Sequence, residues 1–346
     1  MACGLVVMTL IGCAPRGTFS ALPVGATPGT IERIYVATER GLQARDGATF
    51  GNVRSDELRF GTVDVSVPQQ HVVGQIEWPK GAADPVRHFV VSETSGLDNL
   101  DDFVRQVQAD QTEAAETLVF VHGFNVNNAE AVYRLAQIRH DYGIPVPTVA
   151  FSWPSAGHPA AYVYDRDSVI FARDGLEKLI TALVARKGQK VVLVAHSMGS
   201  QLVMEVLRQL TIAGRQDVLG RVESVALISP DIDPDVFQRQ MDRIDPIPPN
   251  FTLFTSSEDI ALGLSSILVG RKARLGAINT AEEVAGLPVT VVDLSNLADG
   301  EAGNHLTLAS SPAAVAFVGG LIAAGQLETG SQPRVIRAPA SGVFPK

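Results

Sequence analysis

Residues 191–199 read Val-Val-Leu-Val-Ala-His-Ser-Met-Gly, and this stretch decides the fold. Five apolar residues run directly into a turn of the form small-x-Ser-x-Gly, and residues 200–210 then carry apolar side chains at helical spacing. The pattern predicts a buried strand, a tight turn with Ser197 at its tip, and a helix. The turn needs small neighbours because it brings the strand and the helix close together. The hydroxyl of Ser197 is therefore expected at the carboxyl end of a sheet.

Strand-like and helix-like segments alternate on both sides of this turn. Apolar strand patterns are found at residues 117–121, 146–152, 189–194, 222–228, 251–255 and 289–294. Helical patterns separate them, the longest at 166–186, and a last helix is expected at 312–324. Such alternation predicts an α/β fold with a doubly wound, mainly parallel sheet, whose functional turns share one edge. Partial strand patterns near 34–38, 57–67 and 88–93 predict extra N-terminal strands.

Further motifs within residues 115–325 accompany the serine turn. They are Phe120-Val-His-Gly-Phe-Asn125, Phe151-Ser-Trp-Pro-Ser155, Ser229-Pro-Asp-Ile-Asp233 and Ser256-Ser-Glu-Asp259. With them the chain resembles the α/β-hydrolases and, more narrowly, a bacterial esterase/lipase-like family of unknown function. The serine turn then corresponds to the nucleophile elbow, with Ala195 where the usual motif has glycine.

The resemblance implies a catalytic serine and a histidine base. Ser197 is the candidate nucleophile, and a serine hydroxyl needs a base within hydrogen-bond reach. In α/β-hydrolases the chain order is serine, acid, histidine. Of the seven histidines only His305 follows Ser197, and it lies in a loop after the last predicted strand. His305 is therefore the predicted base.

The acid that orients the histidine has more than one candidate. Asp259 closes the loop after the strand at 251–255, where the acid is most often found in this fold, and it is the first choice. Asp231 and Asp233 follow the preceding strand and remain alternatives. Their Pro-Asp-Ile-Asp-Pro run also suits ordinary turn geometry.

The oxyanion hole is expected to use two backbone amides. One belongs to Met198, which follows the nucleophile, and the other to Phe124 in the loop after the first core strand. Asn125 is a candidate brace for that loop. Trp153, Asn125 and His196 are candidate pocket residues, although Trp153 could equally cover the core and His196 could serve as a structural hydrogen-bonding group.

Composition limits the partners of the chain. The 346 residues carry a formal net charge of −9, which argues against non-specific binding to nucleic acid or anionic lipid. The basic run at 271–274 is short and is expected to be a solvated surface segment. Cysteine occurs only at positions 3 and 13, and no metal-binding spacing or phosphate-binding glycine loop is present. We therefore expect no disulfide in the folded domain and no metal or cofactor.

The N-terminus resembles an export signal. Residues 4–12 are apolar but too few to span a bilayer, as in the hydrophobic region of a signal peptide. Leu10-Ile-Gly-Cys13 resembles a bacterial lipobox, so Cys13 is the predicted lipidation site. The expected location is the periplasmic side of the bacterial envelope, with membrane contact through this anchor only. A cytoplasmic enzyme with a disordered tail is the alternative.

These patterns predict the organisation of the whole chain. A signal peptide (1–13) and a flexible linker (14–31) precede a hydrolase domain (32–325), and a loose tail (326–346) follows it. The domain divides into an N-terminal extension (32–115) and a catalytic core (116–325). The expected activity is hydrolysis of small-molecule carboxylic esters through an acyl-enzyme. A thioesterase or amidase with the same residues and a non-catalytic, lipid-anchored binding module remain open, and the sequence does not indicate an oligomeric state.

Overall fold

A computed structural model of the chain describes residues 17–42, 50–111, 115–268, 270, 273–280, 282–298, 301–330 and 333–339. The predicted signal peptide and the lipidation site Cys13 lie outside the described residues. Within these ranges no helix is long and apolar enough to cross a bilayer.

The described residues form one ten-stranded sheet. Its strands are β1 (Thr30–Leu42), β2 (Phe50–Val67), β3 (Val90–Leu97), β4 (Glu116–Val121), β5 (Thr148–Ser152), β6 (Lys190–His196), β7 (Val222–Ile228), β8 (Asn250–Thr255), β9 (Thr290–Asp293) and β10 (Arg334–Arg337). Their spatial order is β10-β9-β8-β7-β6-β4-β5-β1-β2-β3. The seven strands from β10 to β5 are parallel, and β1 joins β5 in parallel before β2 and β3 add antiparallel pairs. The mainly parallel sheet with extra N-terminal strands is therefore confirmed.

Helices cover both faces of this sheet. In the described residues the α-helices are α1 (Leu100–Ala109), α2 (Asn128–Asp141), α3 (Tyr162–Phe171), α4 (Arg173–Leu183), α5 (Met198–Ile212), α6 (Gln216–Leu219), α7 (Pro234–Met241), α8 (Ile260–Leu268), α9 (Thr307–Ser310) and α10 (Pro312–Ala323). Short 3₁₀ helices lie at Pro159–Ala161, Leu275–Ala277, Glu282–Val284, Ser295–Leu297 and Glu301–Asn304. Successive strand side chains point to opposite faces, so the apolar strands feed two cores. One packs against α3, α4 and α5, and the other against α2 and α10.

Two elements differ from the sequence-based expectation. The helix predicted at 166–186 is two helices, because the chain bends at Ala172, whose ψ of 2° leaves helical geometry. The C-terminal segment expected to be loose contains β10, which pairs with β9 over four residues. Such a short pairing leaves little periodicity in the sequence from which a strand could be predicted.

Parallel pairing brings the carboxyl ends of the core strands to one edge of the sheet. The loops after β4, β5, β6, β8 and β9 all emerge there. These loops hold the residues that the sequence analysis singled out. β1 reaches the same edge because Thr38 is in register with Ser152, the last residue of β5.

Candidate active site

Ser197 lies in a sharp turn between β6 and α5. Its φ of 52° and ψ of −122° are unusual for a residue with a side chain. The amide of Ser197 donates to the carbonyl oxygen of Ile228 at 2.9 Å, which secures the turn to β7. A Cβ at Gly199 would lie 2.4 Å from the carbonyl oxygen of His122, so only glycine lets α5 approach the end of β4 this closely. The turn therefore places Ser197 at the N-terminus of α5.

The loop after β4 packs directly against this turn. A Cβ at Gly123 would lie 2.9 Å from Cβ of Ser197 and 2.7 Å from Nδ1 of His196. The next amide along the loop is that of Phe124. The amide of Met198 is the first of α5, where no carbonyl of the same helix can accept it. Both amides predicted for the oxyanion hole thus belong to segments adjoining Ser197, and the positive end of α5 adds to their field.

Asp165 holds the loop after β4 in place. Its carboxylate is fully buried, and Oδ2 accepts from the hydroxyl of Ser155 at 2.6 Å and from the amide of Asn125 at 3.2 Å. The hydroxyl of Ser155 in turn accepts from the amide of Val126 at 3.2 Å. The backbone of Asn125, whose φ is 58°, takes part in this brace through its amide. No local pattern in the sequence indicates this contact, because Asp165 lies 40 residues from Asn125.

Arg40 is a second brace, and it comes from the N-terminal extension. Its fully buried guanidinium donates to the carbonyl oxygen of Val126 at 2.8 Å, to the hydroxyl of Ser152 at 2.8 Å and to the carbonyl oxygen of Ser155 at 3.0 Å. One side chain of β1 therefore joins the end of β5 to the loop after β4. Arg40 was not predicted as a site residue. The signal in the sequence that could have indicated it is a charged residue directly after the apolar strand predicted near 34–38.

His122 and Trp153 fill the space behind this loop. Their rings stack at 4.8 Å with an interplanar angle of 16°, and Nε1 of Trp153 donates to the carbonyl oxygen of His122 at 2.7 Å. Burial, and then the charge of Arg40, lower the pKa of His122 to about 3, so its imidazole is neutral at physiological pH. Trp153 is fully buried, which favours its role as a core residue over a pocket wall.

His196 fixes the position of the loop that carries His305. Its Nε2 lies 3.0 Å from the carbonyl oxygen of His305, and a carbonyl can only accept, so Nε2 is the donor. The two rings lie with their centroids 4.6 Å apart. Burial, followed by the charge of His305, holds the pKa of His196 well below its usual value. His196, which directly precedes Ser197, is therefore a neutral donor that holds the backbone of His305 beside the serine turn.

Asp259 and His305 form a hydrogen-bonded pair. Nδ1 of His305 lies 2.8 Å from Oδ2 of Asp259, whose side chain is fully buried. The other carboxylate oxygen accepts from the amide of Leu262 at 2.9 Å. Since a carboxylate accepts, Nδ1 carries the proton and Nε2 is left with its lone pair free to act as a base. Asn304 links the two loops, because its side chain donates to the carbonyl oxygen of Glu258 at 3.1 Å.

The alternative acids have other contacts. Asp231 pairs with Arg274 at 2.5 Å and accepts from Tyr162 at 2.8 Å. Asp233 caps α7 by accepting from the amide of Asp235 at 2.9 Å. The expectation that the 271–274 run is solvated was wrong at Arg274, which is buried because Asp231 neutralises its charge.

A cavity of about 330 Å³ borders the loop after β4. Gly123 and His196 line it together with Leu306, and Gly17 and Trp78 line it from the N-terminal part of the chain. Among the residues that the structure describes, no group of three or more His, Cys, Asp or Glu side chains is arranged to hold a metal ion.

One curated relative matches a short part of the chain. A stretch of 63 residues is 41% identical to an uncharacterized protein of Nostoc sp. (strain PCC 7120) and covers 18% of this chain and 16% of that protein. The chain thus matches less than a fifth of the length of this curated relative.

Three solved structures are also similar. A dienelactone hydrolase from Anabaena variabilis is 11% identical, with a TM-score of 0.41 and coverage of 78% of this chain and 91% of that one. A hyperthermophilic esterase from the archaeon Pyrobaculum calidifontis is 13% identical, with a TM-score of 0.36 and coverage of 88% and 86%. Aspergillus fumigatus lipase B is 13% identical, with a TM-score of 0.38 and coverage of 66% and 58%.

The model of the family described as "Alpha/beta hydrolase of unknown function (DUF900)" matches residues 98–323. Because this match covers more than half of the chain, the protein belongs to that α/β-hydrolase family.

Proposed function

We propose that the protein is a serine hydrolase that cleaves carboxylic esters, with Ser197 as nucleophile, His305 as base and Asp259 as the acid that orients His305. The observation that carries the proposal is the 2.8 Å hydrogen bond between His305 Nδ1 and Asp259 Oδ2. This bond leaves Nε2 free on a loop anchored beside the residue that precedes Ser197. The resulting tautomer is the one that a general base requires.

In the proposed reaction the hydroxyl of Ser197 attacks the acyl carbon and His305 accepts its proton at Nε2. The amides of Phe124 and Met198 stabilise the oxyanion of the tetrahedral intermediate. The intermediate collapses, His305 protonates the departing alcohol, and an acyl-serine remains. Water then attacks the acyl carbon with His305 again as base, which releases the acid and regenerates the serine. Loss of one donor to the oxyanion typically slows an enzyme by about 10²–10³-fold.

The proposal commits to esters, and the same residues could also open a thioester or an amide. Alcohols are better leaving groups than amines, and the proposed site needs no further group to cleave an ester. A comparison of esters, thioesters and amides that share one acyl chain measures this preference.

The decisive experiment compares Ser197→Ala with the unaltered protein and with Ser200→Ala. Ser200 is a suitable control because its buried hydroxyl lies three residues away and donates to the carbonyl oxygen of Ala195 at 3.3 Å. Hydrolysis of p-nitrophenyl esters and labelling by a fluorophosphonate probe should be lost only in Ser197→Ala. Equal activity in all three proteins would reject the proposal. A folded protein with no activity and no labelling would instead be a non-catalytic binding module.

We also propose that a lipid on Cys13 holds the enzyme at the periplasmic side of the bacterial envelope. The lipobox-like Leu10-Ile-Gly-Cys13 and the Pro/Gly-rich linker after it support this location. Mass spectrometry of the N-terminal peptide from bacterial membranes should show a lipidated Cys13. An unmodified peptide from the soluble fraction would contradict the location.

A further inference from the structure

Helix α8 (Ile260–Leu268) presents its apolar side to solvent. Ile260, Leu264, Ile267 and Leu268 follow one face of the helix and are 60–67% exposed. Its buried side includes Ser265, whose hydroxyl donates to Asp231 at 2.7 Å. An amphipathic surface helix normally buries its apolar face. α8 also buries the apolar Leu262, so its exposed apolar face is additional to the side that packs on the domain. Such a face is typical of a surface that contacts something apolar outside the domain.

This apolar face borders the proposed active site. α8 begins at Ile260, the residue after Asp259. Ile260 lies beside Gly303 in the loop that leads to His305, because a Cβ added at Gly303 would be 3.5 Å from Cβ of Ile260. None of the nine residues of α8 is charged. Whatever covers α8 would therefore sit beside the loops that carry Asp259 and His305.

A groove of about 430 Å³ lies between α3 and α8. Val163, Ile170 and Leu268 contribute apolar walls, and Gln201 of the first turn of α5 lies at the groove as well. Tyr162 also lines it, and its ring makes an edge contact with Phe124 at 5.3 Å. The ring of Tyr162 therefore lies between the groove and the loop that carries one of the proposed oxyanion amides. Arg166 and Asp167 also line the groove, and its size and its apolar walls suit an acyl chain.

The position of Gly17 shows which edge of the sheet an anchor at Cys13 would lie near. The amide of Gly17 donates a hydrogen bond to Glu130 in the first turn of α2 at 3.0 Å. Gly17 also lines the cavity beside His196 and Leu306. Gly17 is therefore on the same edge of the sheet as α8. The four residues back to Cys13 can span at most about 14 Å. An anchor at Cys13 would hold this edge close to a lipid surface.

We infer that the exposed face of α8 docks on an uncharged lipid surface and that the substrates are acyl esters drawn from that surface into the α3–α8 groove. This inference rests on the proposed hydrolase function and deepens it. It also replaces the expectation that the anchor at Cys13 is the only membrane contact. The lipid is specified as uncharged because the chain carries a net charge of −9 and α8 offers no cation. Binding should therefore depend on apolar contact rather than on charge.

The test measures the depth of a spin label in the full-length chain. Leu264→Cys is made in a background with Cys3→Ser and Cys13→Ser, so that a nitroxide attaches only at 264 and no anchor brings the chain to the membrane. Phosphatidylcholine vesicles are then added. The label at 264 should become several-fold more accessible to oxygen and less accessible to a water-soluble nickel complex. The matched control is Ile212→Cys, at the far end of α5, which is also exposed (52%) and should not change. A label at 264 that stays water-accessible would overturn the inference.

Vesicle flotation of an altered face supplies a second measurement. In the same Cys3→Ser and Cys13→Ser background, which lacks the anchor, Leu264→Asp combined with Ile267→Asp should weaken binding to phosphatidylcholine vesicles by about tenfold or more, since each apolar side chain removed from the lipid weakens partitioning. Adding anionic lipid should not strengthen binding of the unaltered chain. Unchanged flotation of the double variant, or loss of a dimer instead of vesicle binding, would assign the face to another role. Ser197→Ala should float normally, so failure of docking and failure of catalysis are distinguishable.

Discussion

Replacement of Arg40 by methionine tests the claim that the N-terminal extension supports the oxyanion loop, which is the loop after β4 (residues 122–126). The substitution keeps a long side chain but removes the donors to the carbonyl oxygens of Val126 and Ser155, both within 3.0 Å of the guanidinium. Each buried carbonyl left without a donor costs about 1–3 kcal/mol. We therefore expect the free energy of unfolding to fall by about 3–5 kcal/mol. Urea denaturation measures this loss.

The same substitution should also slow catalysis. Without Arg40, the loop from His122 to Val126 loses one of its two braces, and a displacement of about 1 Å in such a loop lowers kcat by roughly 100-fold. Arg40→Lys keeps the charge but not the planar fork, so it should restore only part of the rate. The rates are measured on a short p-nitrophenyl ester at a temperature where each variant is folded.

Arg54→Met is the matched control. Nε of Arg54 donates a hydrogen bond to the hydroxyl of Ser168 at 3.0 Å, and its guanidinium carbon lies 4.4 Å from the centre of the Tyr164 ring. Arg54 thus links β2 to α3 through these contacts, and neither of them involves the oxyanion loop. Its loss should lower stability and leave kcat within a few-fold. If Arg40→Met is destabilised but keeps the full kcat, the loop does not depend on Arg40 and the reasoning is refuted.

Three further substitutions separate catalytic from structural carboxylates. Asp259→Ala should lower kcat by about 10³–10⁴-fold with little change in KM, because His305 loses its orienting acceptor; a loss below tenfold in steady-state assays would contradict this. Asp231→Asn should leave Arg274 without its buried counter-charge and lower the free energy of unfolding by about 3–5 kcal/mol, with kcat of the folded fraction within a few-fold; undiminished stability in urea would be the contrary result. Glu39 is buried, with a pKa raised to about 7, first by burial and then by neighbouring carboxylates. Between about pH 4.5 and pH 7 the folded state therefore keeps a proton on Glu39 that the unfolded state has lost, and the free energy of unfolding should fall by roughly 3 kcal/mol as pH rises through this range. Glu39→Gln should flatten that slope. Identical pH profiles of stability in the two proteins would disprove the raised pKa of Glu39.

The part of the site that is local in sequence could be predicted. The strand, the serine turn and the helix occupy consecutive residues, so apolar spacing and small residues suffice to indicate the turn at Ser197. The order of Ser197 and His305 along the chain follows from the resemblance to α/β-hydrolases. Parallel strands bring their carboxyl ends to one edge, which explains why Asp259 and His305, each following a strand, lie together.

Contacts between distant segments could not be predicted. Arg40 meets its partners across more than 80 residues, and its role depends on β1 pairing with β5, which no local pattern indicates. The choice between Asp259 and Asp231 depends on the direction of two side chains after neighbouring strands. Arg274 was misassigned for the same reason, because its partner Asp231 lies 43 residues away.

The central claim is that His305 activates Ser197. The most direct measurement is the rate at which a fluorophosphonate labels Ser197, located by mass spectrometry, in the unaltered protein and in His305→Gln. We predict that the label is found on Ser197 and that its rate falls by about 10³-fold or more in His305→Gln. Equal rates in the two proteins, or a label on another residue, would contradict the account.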